Sequence, residues 1–217
     1  MIVSHSHKFI FFRVPKSGSS SIKLTPYFEQ LTLPNNGKFT FRHDGKVSEE
    51  ERNFFSELKK DNSGLIMEPN HTESQACSLV LGKEVCEDYF KFAFVRNPWD
   101  RLVSRYFWGV KVIESQMMKE MNCQTFSDYV KNIELDGFAS FICSQYQFTE
   151  DCDFIGRTEN LQEDFDEVCK IVGVPKQNLI KRNVSSHSHY TEYYDDETRE
   201  IIAQKYAKDI EYFVYKF

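Results

Sequence analysis

Residues 9–12, Phe-Ile-Phe-Phe, form an unbroken apolar run that predicts a strand over about 8–14, buried on both faces. Residues 89–95, Tyr-Phe-Lys-Phe-Ala-Phe-Val, predict a second aromatic and β-branched strand, and 153–156 a short third one. Each run leads into helical spacing. A helix is expected over 19–30 after the first strand. After the second, Pro98 suits the first helical position, and Leu102, Val103, Tyr106, Phe107 and Val110 share one stripe. After the third, Leu161, Phe165, Val168 and Val172 repeat at helical spacing until Gly173 and Pro175 end the helix. Further helices are predicted over 49–60, 126–133 and 138–144, and Thr72 or Ser74 is expected to cap a short one reaching Leu81. From Asp195 a single amphipathic helix aligns Ile202, Tyr206, Ile210 and Phe213. Residues 32–48 read as polar and irregular. Strands alternating with helices, without a low-complexity linker or internal repeat, predict one α/β domain over 1–217, a central, mostly parallel sheet flanked by helices.

Composition narrows the picture further. Apolar residues make up 41% of the chain, with 20 Phe and 11 Tyr, which supplies a core and argues against disorder. A net charge of −6 argues against a nucleic-acid partner, so any polyanion is expected to bind in a local basic cleft. Neither a signal peptide nor a long apolar span is present, so no membrane anchor is expected. The six cysteines (77, 86, 123, 143, 152 and 169) contain no C-x-x-C pair. They read as reduced, mostly buried thiols of a cytoplasmic chain, and the sequons at Asn70 and Asn183 then read as chance matches.

The chemistry concentrates where the strands end. After the first comes Arg13-Val-Pro-Lys-Ser-Gly-Ser-Ser-Ser-Ile22, a P-loop-like cradle in which Gly18 permits a tight turn, serines offer hydroxyls and Lys16 adds a full charge near a helix start. In the nucleoside-triphosphate loop G-x-x-x-x-G-K-[ST] the lysine follows the last glycine. Here Lys16 precedes the only one. After the second strand comes Arg96-Asn-Pro-Trp-Asp-Arg-Leu-Val-Ser104. An arginine at a strand end and a hydroxyl two helical turns on suit a phosphate, although Arg96 is equally able to pair with Asp100.

Together these motifs resemble the sulfotransferases that use 3′-phosphoadenosine-5′-phosphosulfate, especially the carbohydrate (family 2) branch. The stretch from Phe154-Ile-Gly-Arg-Thr-Glu-Asn and the ending from Tyr193 to Phe217 extend the resemblance over most of the chain. The resemblance implies that Arg13, Lys16, Ser17, Gly18, Ser19, Ser20, Ser21 and Ile22 enclose the 5′-phosphosulfate, with Lys16 on the bridging oxygen. It implies that Arg96 and Ser104 hold the 3′-phosphate and that Arg157 reaches the nucleotide. Lys181, Arg182 and Ser185 would sit in a loop closing over it. The expected product is adenosine 3′,5′-bisphosphate, the expected partner a hydroxyl-bearing acceptor, glycan or small molecule, and no metal is required.

The acceptor hydroxyl needs a base, a role the family usually gives to a histidine or glutamate. His71, in Asn-His-Thr-Glu, is the first candidate and His43 the second, with Glu68 and Glu73 behind them. Ser-His-Ser-His occurs at 4–7 and again at 186–189, but no third ligand accompanies either pair. Trp108, Tyr129 and Tyr146 lie in an aromatic-rich stretch suited either to an acceptor or to the core. Two competing functions share the loop: a degenerate P-loop kinase or NTPase, and a non-catalytic nucleotide-binding module. Retention of Lys16 favours an enzyme.

Overall fold

The structure, a computed structural model, describes residues 1–23, 25, 49–61, 71–112, 123–135, 143–180 and 187–217. Its strands are β1 (Ile2–Ser4), β2 (Phe9–Phe12), β3 (Phe90–Val95) and β4 (Phe154–Arg157), in that order across one sheet. β1 is antiparallel to β2, whereas β2, β3 and β4 run parallel, so the expected mostly parallel α/β sheet is present. The described α-helices are α1 (Ser19–Lys23), α2 (Glu49–Asp61), α3 (Cys77–Leu81), α4 (Lys83–Asp88), α5 (Pro98–Val112), α6 (Phe126–Lys131), α7 (Leu161–Ile171), α8 (Asp196–Lys205) and α9 (Ala207–Tyr212). The chain divides into two compact units, Met1–Val95 with Gln147–Arg182, and Arg96–Tyr146 with Asn183–Phe217.

The first unit is built on the sheet. All four residues of β2 are fully buried, which is why that strand lacks the polar alternation of a half-exposed one. Parallel register sets Phe11 opposite Phe92, and their rings stack with centroids 4.8 Å apart. Phe165, Val168 and Cys169 of α7 pack on this face with Phe9, Phe94 and Ile22. Gly156 in β4 leaves room for a ring, since a Cβ there would lie 2.4 Å from Phe94 Cε1. The second unit packs Trp99, Leu102 and Val103 of α5 against Phe126, Tyr129 and Val130 of α6 and Ile202 of α8. Tyr129 is therefore core.

Several local expectations need correction. β1 is too short to be read from the sequence, and the first Ser-His-Ser-His is part of the turn joining it to β2. His5 there bonds Tyr89 Oη at 2.5 Å, and His7 Nδ1 donates to the Val172 carbonyl at 3.2 Å. The helix expected over 138–144 is not helical at 143 and 144, and residues 138–142 lie outside the described ones. Neither Thr72 nor Ser74 caps the helix reaching Leu81; a 3-10 turn, Ser74–Ala76, precedes α3, with Glu73 at its N-cap position. The C-terminal helix is broken at Tyr206, whose φ −108° and ψ 27° leave the helical region between α8 and α9. The helix expected over 19–30 is described only as α1, and the polar stretch 32–48 lies outside the described residues.

The expectation of reduced thiols fails for Cys77 and Cys86, which form a disulfide between α3 and α4. Gly82, at φ +87°, turns the chain between the two short helices and brings the cysteines to a Cα separation of 6.2 Å. Closing so short a loop restricts the unfolded chain by ~2–3 kcal/mol. The C77S/C86S protein is therefore expected to melt several degrees below the parent. Reductant should lower the parent's melting temperature by a similar amount and leave the variant's unchanged, as followed by circular dichroism.

Candidate functional site

β2 delivers the chain into the loop at the carboxyl edge of the sheet, where α/β folds bind ligands. Val14 and Pro15 continue the burial of the strand, and the backbone then turns sharply. Lys16 has φ +66° and Gly18 φ +76°. A left-handed lysine costs roughly 1–2 kcal/mol, a strain that persists where the surroundings enforce it. Enforcement comes from both sides of the turn: Ser17 Oγ donates to the Val14 carbonyl at 2.8 Å, and the Ser21 amide donates to the Gly18 carbonyl at 2.9 Å. The hydroxyl proton of Ser17 thus belongs to the turn. Ser19 and Ser21 are buried, Ser20 and Lys16 half-buried, and Ile22 anchors α1 in the core.

Gly18 also meets the start of α7. A Cβ on it would lie 2.9 Å from Leu161 Cδ2, so the loop after β2 and the segment after β4 touch at the same edge. Arg157, at the end of β4, is half-buried there, and its amide donates to Asp164 Oδ2 at 2.6 Å. Arg13 is 8% exposed, and burial pulls its guanidinium down to about 10, which leaves it cationic at neutral pH. His71 joins this cluster through Nδ1, 2.8 Å from the Arg13 carbonyl. A carbonyl only accepts, so Nδ1 carries the proton and Nε2 is the basic nitrogen of the neutral ring. The segment carrying His71 is held in turn by Ser74 Oγ, which donates to the Gln147 carbonyl at 3.3 Å, and by the adjoining disulfide.

Arg96 and Ser104 belong to the second unit. Arg96 makes a two-pronged pair with Asp100, Nε to Oδ2 at 2.7 Å and Nη2 to Oδ1 at 2.9 Å, which fixes the plane of its guanidinium. Asn97 Oδ1 accepts from the Trp99 amide at 3.1 Å and caps α5. Asp100 and Ser104 are four residues apart, hence on one face of α5. Ser104 is buried, as are Arg101 and Arg105 on either side of it, so that stretch of α5 is strongly cationic. The backbone of Arg96 is held by Gln145, whose Oε1 accepts from the Arg96 amide at 2.9 Å and whose Nε2 donates to the Arg96 carbonyl at 2.8 Å.

The structure thus gathers Arg13, Lys16, the serine loop, His71 and Arg157 within one unit, and places Arg96 with Ser104 in the other. His43 and Ser185 lie outside the described residues, as do Lys181 and Arg182. Gln145 and the buried Asp209 that supports it were not anticipated. Asp209 had a sequence signal, since it is a carboxylate three residues after Tyr206, on the apolar stripe of the C-terminal segment. Gln145 had none.

Comparison with known proteins identifies the family of the chain. An uncharacterized protein of Archaeoglobus fulgidus is 30% identical over 113 residues, 51% of this chain and 89% of its own length. Carbohydrate sulfotransferase 11 of Rattus norvegicus is 23% identical over 205 residues, which cover 80% of this chain and 53% of the rat protein. This chain thus matches about half the length of that relative. A crystal structure of the sulfotransferase from Alicyclobacillus acidocaldarius aligns over 100% of this chain and 95% of its own at 14% identity, with a TM-score of 0.34. The fold assignment rests on the strand order and not on that alignment. The chain matches the Sulfotransferase family over residues 1–216, and with that match over nearly its whole length it belongs to the sulfotransferase family.

Proposed function

We propose that this sulfotransferase moves a sulfuryl group from 3′-phosphoadenosine-5′-phosphosulfate to a hydroxyl of a carbohydrate or small-molecule acceptor. The observation that carries the reading is Lys16, held in left-handed backbone at the end of a buried parallel strand, with His71 bonded to the same segment. The donor set fits a phosphosulfate: one ammonium, a run of serines, and a glycine whose left-handed backbone and contact with Leu161 disfavour a side chain. Similarity to a carbohydrate sulfotransferase supports the sugar acceptor.

When bound, the donor supplies the sulfuryl group and leaves as adenosine 3′,5′-bisphosphate. The loop of residues 17–22 orients the 5′-phosphosulfate, Arg96 and Ser104 grip the 3′-phosphate, and Arg157 contributes positive charge on the nucleotide side. His71 Nε2 takes the proton of the acceptor hydroxyl, whose oxygen forms the new bond to sulfur. Lys16 neutralises the charge that develops on the bridging oxygen as the old S–O bond breaks. A preplaced cation acts there with little reorganisation, and no metal is invoked. No described helix is long and apolar enough to cross a membrane. The cytoplasmic setting expected from the cysteine pattern is the part of the reading that the Cys77–Cys86 bridge opposes, because isolated disulfides persist in oxidising compartments.

Incubation with labelled phosphosulfate donor and a panel of glycans, phenols and alcohols is expected to give a sulfated product. Donor binding without transfer to any acceptor would support the non-catalytic reading instead. Lys16→Ala should lower kcat about a hundredfold or more with the melting curve retained, and near-parental turnover would refute its role. Replacing His71 with Ala should lower kcat by ~10²–10⁴ while donor affinity, measured by titration with adenosine 3′,5′-bisphosphate, stays unchanged.

A further inference from the structure

The second unit contains a buried polar network behind Arg96 whose other members take no part in the proposed chemistry. Asp209, in α9, is wholly buried. Its carboxyl group accepts from three donors of one short segment: Ser144 Oγ, the Gln145 amide at 2.8 Å and the Tyr146 amide at 3.0 Å. Arg101, also buried, donates to the Cys143 carbonyl at 2.8 Å and lies over the Tyr206 ring at 5.9 Å. Residues 143–146 are thus clamped from α5 and α9. Gln145, the fully buried residue at the centre of the clamp, spends both ends of its amide on the backbone of Arg96.

A side-chain amide that pairs both main-chain groups of one residue does what a neighbouring strand would do. β3 ends at Val95, and Arg96 is the first residue beyond it. Gln145 supplies a ladder of one residue at that point and fixes the φ and ψ from which the Arg96 side chain departs. Asp100 fixes the other end of the same side chain.

We propose that Gln145 is a positioning residue for Arg96, and that Asp209 acts one step further back by holding Gln145, so that both tune recognition of the 3′-phosphate without touching it. The proposal rests on the assignment of Arg96 to that phosphate. It makes the C-terminal segment part of nucleotide selection.

The test compares the full chain with Gln145→Ala, Gln145→Glu, Asp209→Asn and Arg96→Ala by calorimetric titration with adenosine 3′,5′-bisphosphate and with adenosine 5′-monophosphate, which lacks the 3′-phosphate. Arg96→Ala should abolish the preference for the bisphosphate. Gln145→Ala is expected to reduce the preference about tenfold or more while the monophosphate affinity holds within about twofold, as misplacement of a charged fork predicts. Glutamate at 145 keeps the acceptor for the Arg96 amide but turns a carboxylate oxygen towards the Arg96 carbonyl in place of a donor, so its preference should fall at least as far as that of the alanine variant. Asparagine at 209 turns an N–H₂ towards a backbone N–H at either Gln145 or Tyr146, so the shift should follow Gln145→Ala in direction. Equal loss of affinity for both nucleotides, or an unchanged preference in Gln145→Ala and Gln145→Glu, would overturn the positioning role alone. An unchanged preference in Arg96→Ala would instead overturn the assignment of the 3′-phosphate to Arg96, and the positioning role with it.

Discussion

The parallel register of β2, β3 and β4 is the constraint on which the rest of the first unit depends. It brings the carboxyl ends of strands far apart in sequence to one edge, so the loop after β2 and the segment after β4 meet without any element dedicated to joining them. The register is itself held by aromatic packing. Phe11 on Phe92 and Phe94 over Gly156 leave little freedom for a strand to slip by one residue, because a slip would exchange the side chains of two filled faces and set Phe94 opposite a residue that has a side chain.

Against that rigid edge the loop is strained, and the strain lies at its lysine. Lys16 has a left-handed backbone that an L side chain resists, while the Ser17 hydroxyl bonds back to the Val14 carbonyl across it and the Ser21 amide closes the next turn on the Gly18 carbonyl. The cost falls on the fold, and its result is a fixed direction for the Cα–Cβ bond of the lysine. His71 follows the same logic: its contact with the Arg13 carbonyl orients the ring and assigns its tautomer at once.

Much of this was legible in the sequence because its causes are local. An unbroken apolar run reads as a buried strand, Pro98 marks the start of α5, and Gly18 among serines marks the tight turn after β2. What stayed hidden depends on distance in space. β1 is a strand only because β2 lies beside it, and the Cys77–Cys86 bridge depends on a turn at Gly82 that cysteine spacing does not reveal. The break at Tyr206 interrupts an amphipathic pattern that the residues alone would continue, and the buried carboxyl group of Asp209 follows directly after it. Gln145 acquires its role solely through contacts reaching 49 residues back and 64 residues on.

The meeting of Gly18 with Leu161 bears on how chains of this type diverge. Two separate demands fall on position 18, one from its own backbone and one from a side chain at the head of α7. A smaller residue at 161 removes only the second. Asn and Asp are the side chains that tolerate left-handed backbone best, so a relative that abandons the glycine is expected to carry one of them and to have trimmed its counterpart of Leu161 as well. The two positions form a covarying pair across the loop, and an alignment of relatives would register it as a long-range coupling with no ligand in common.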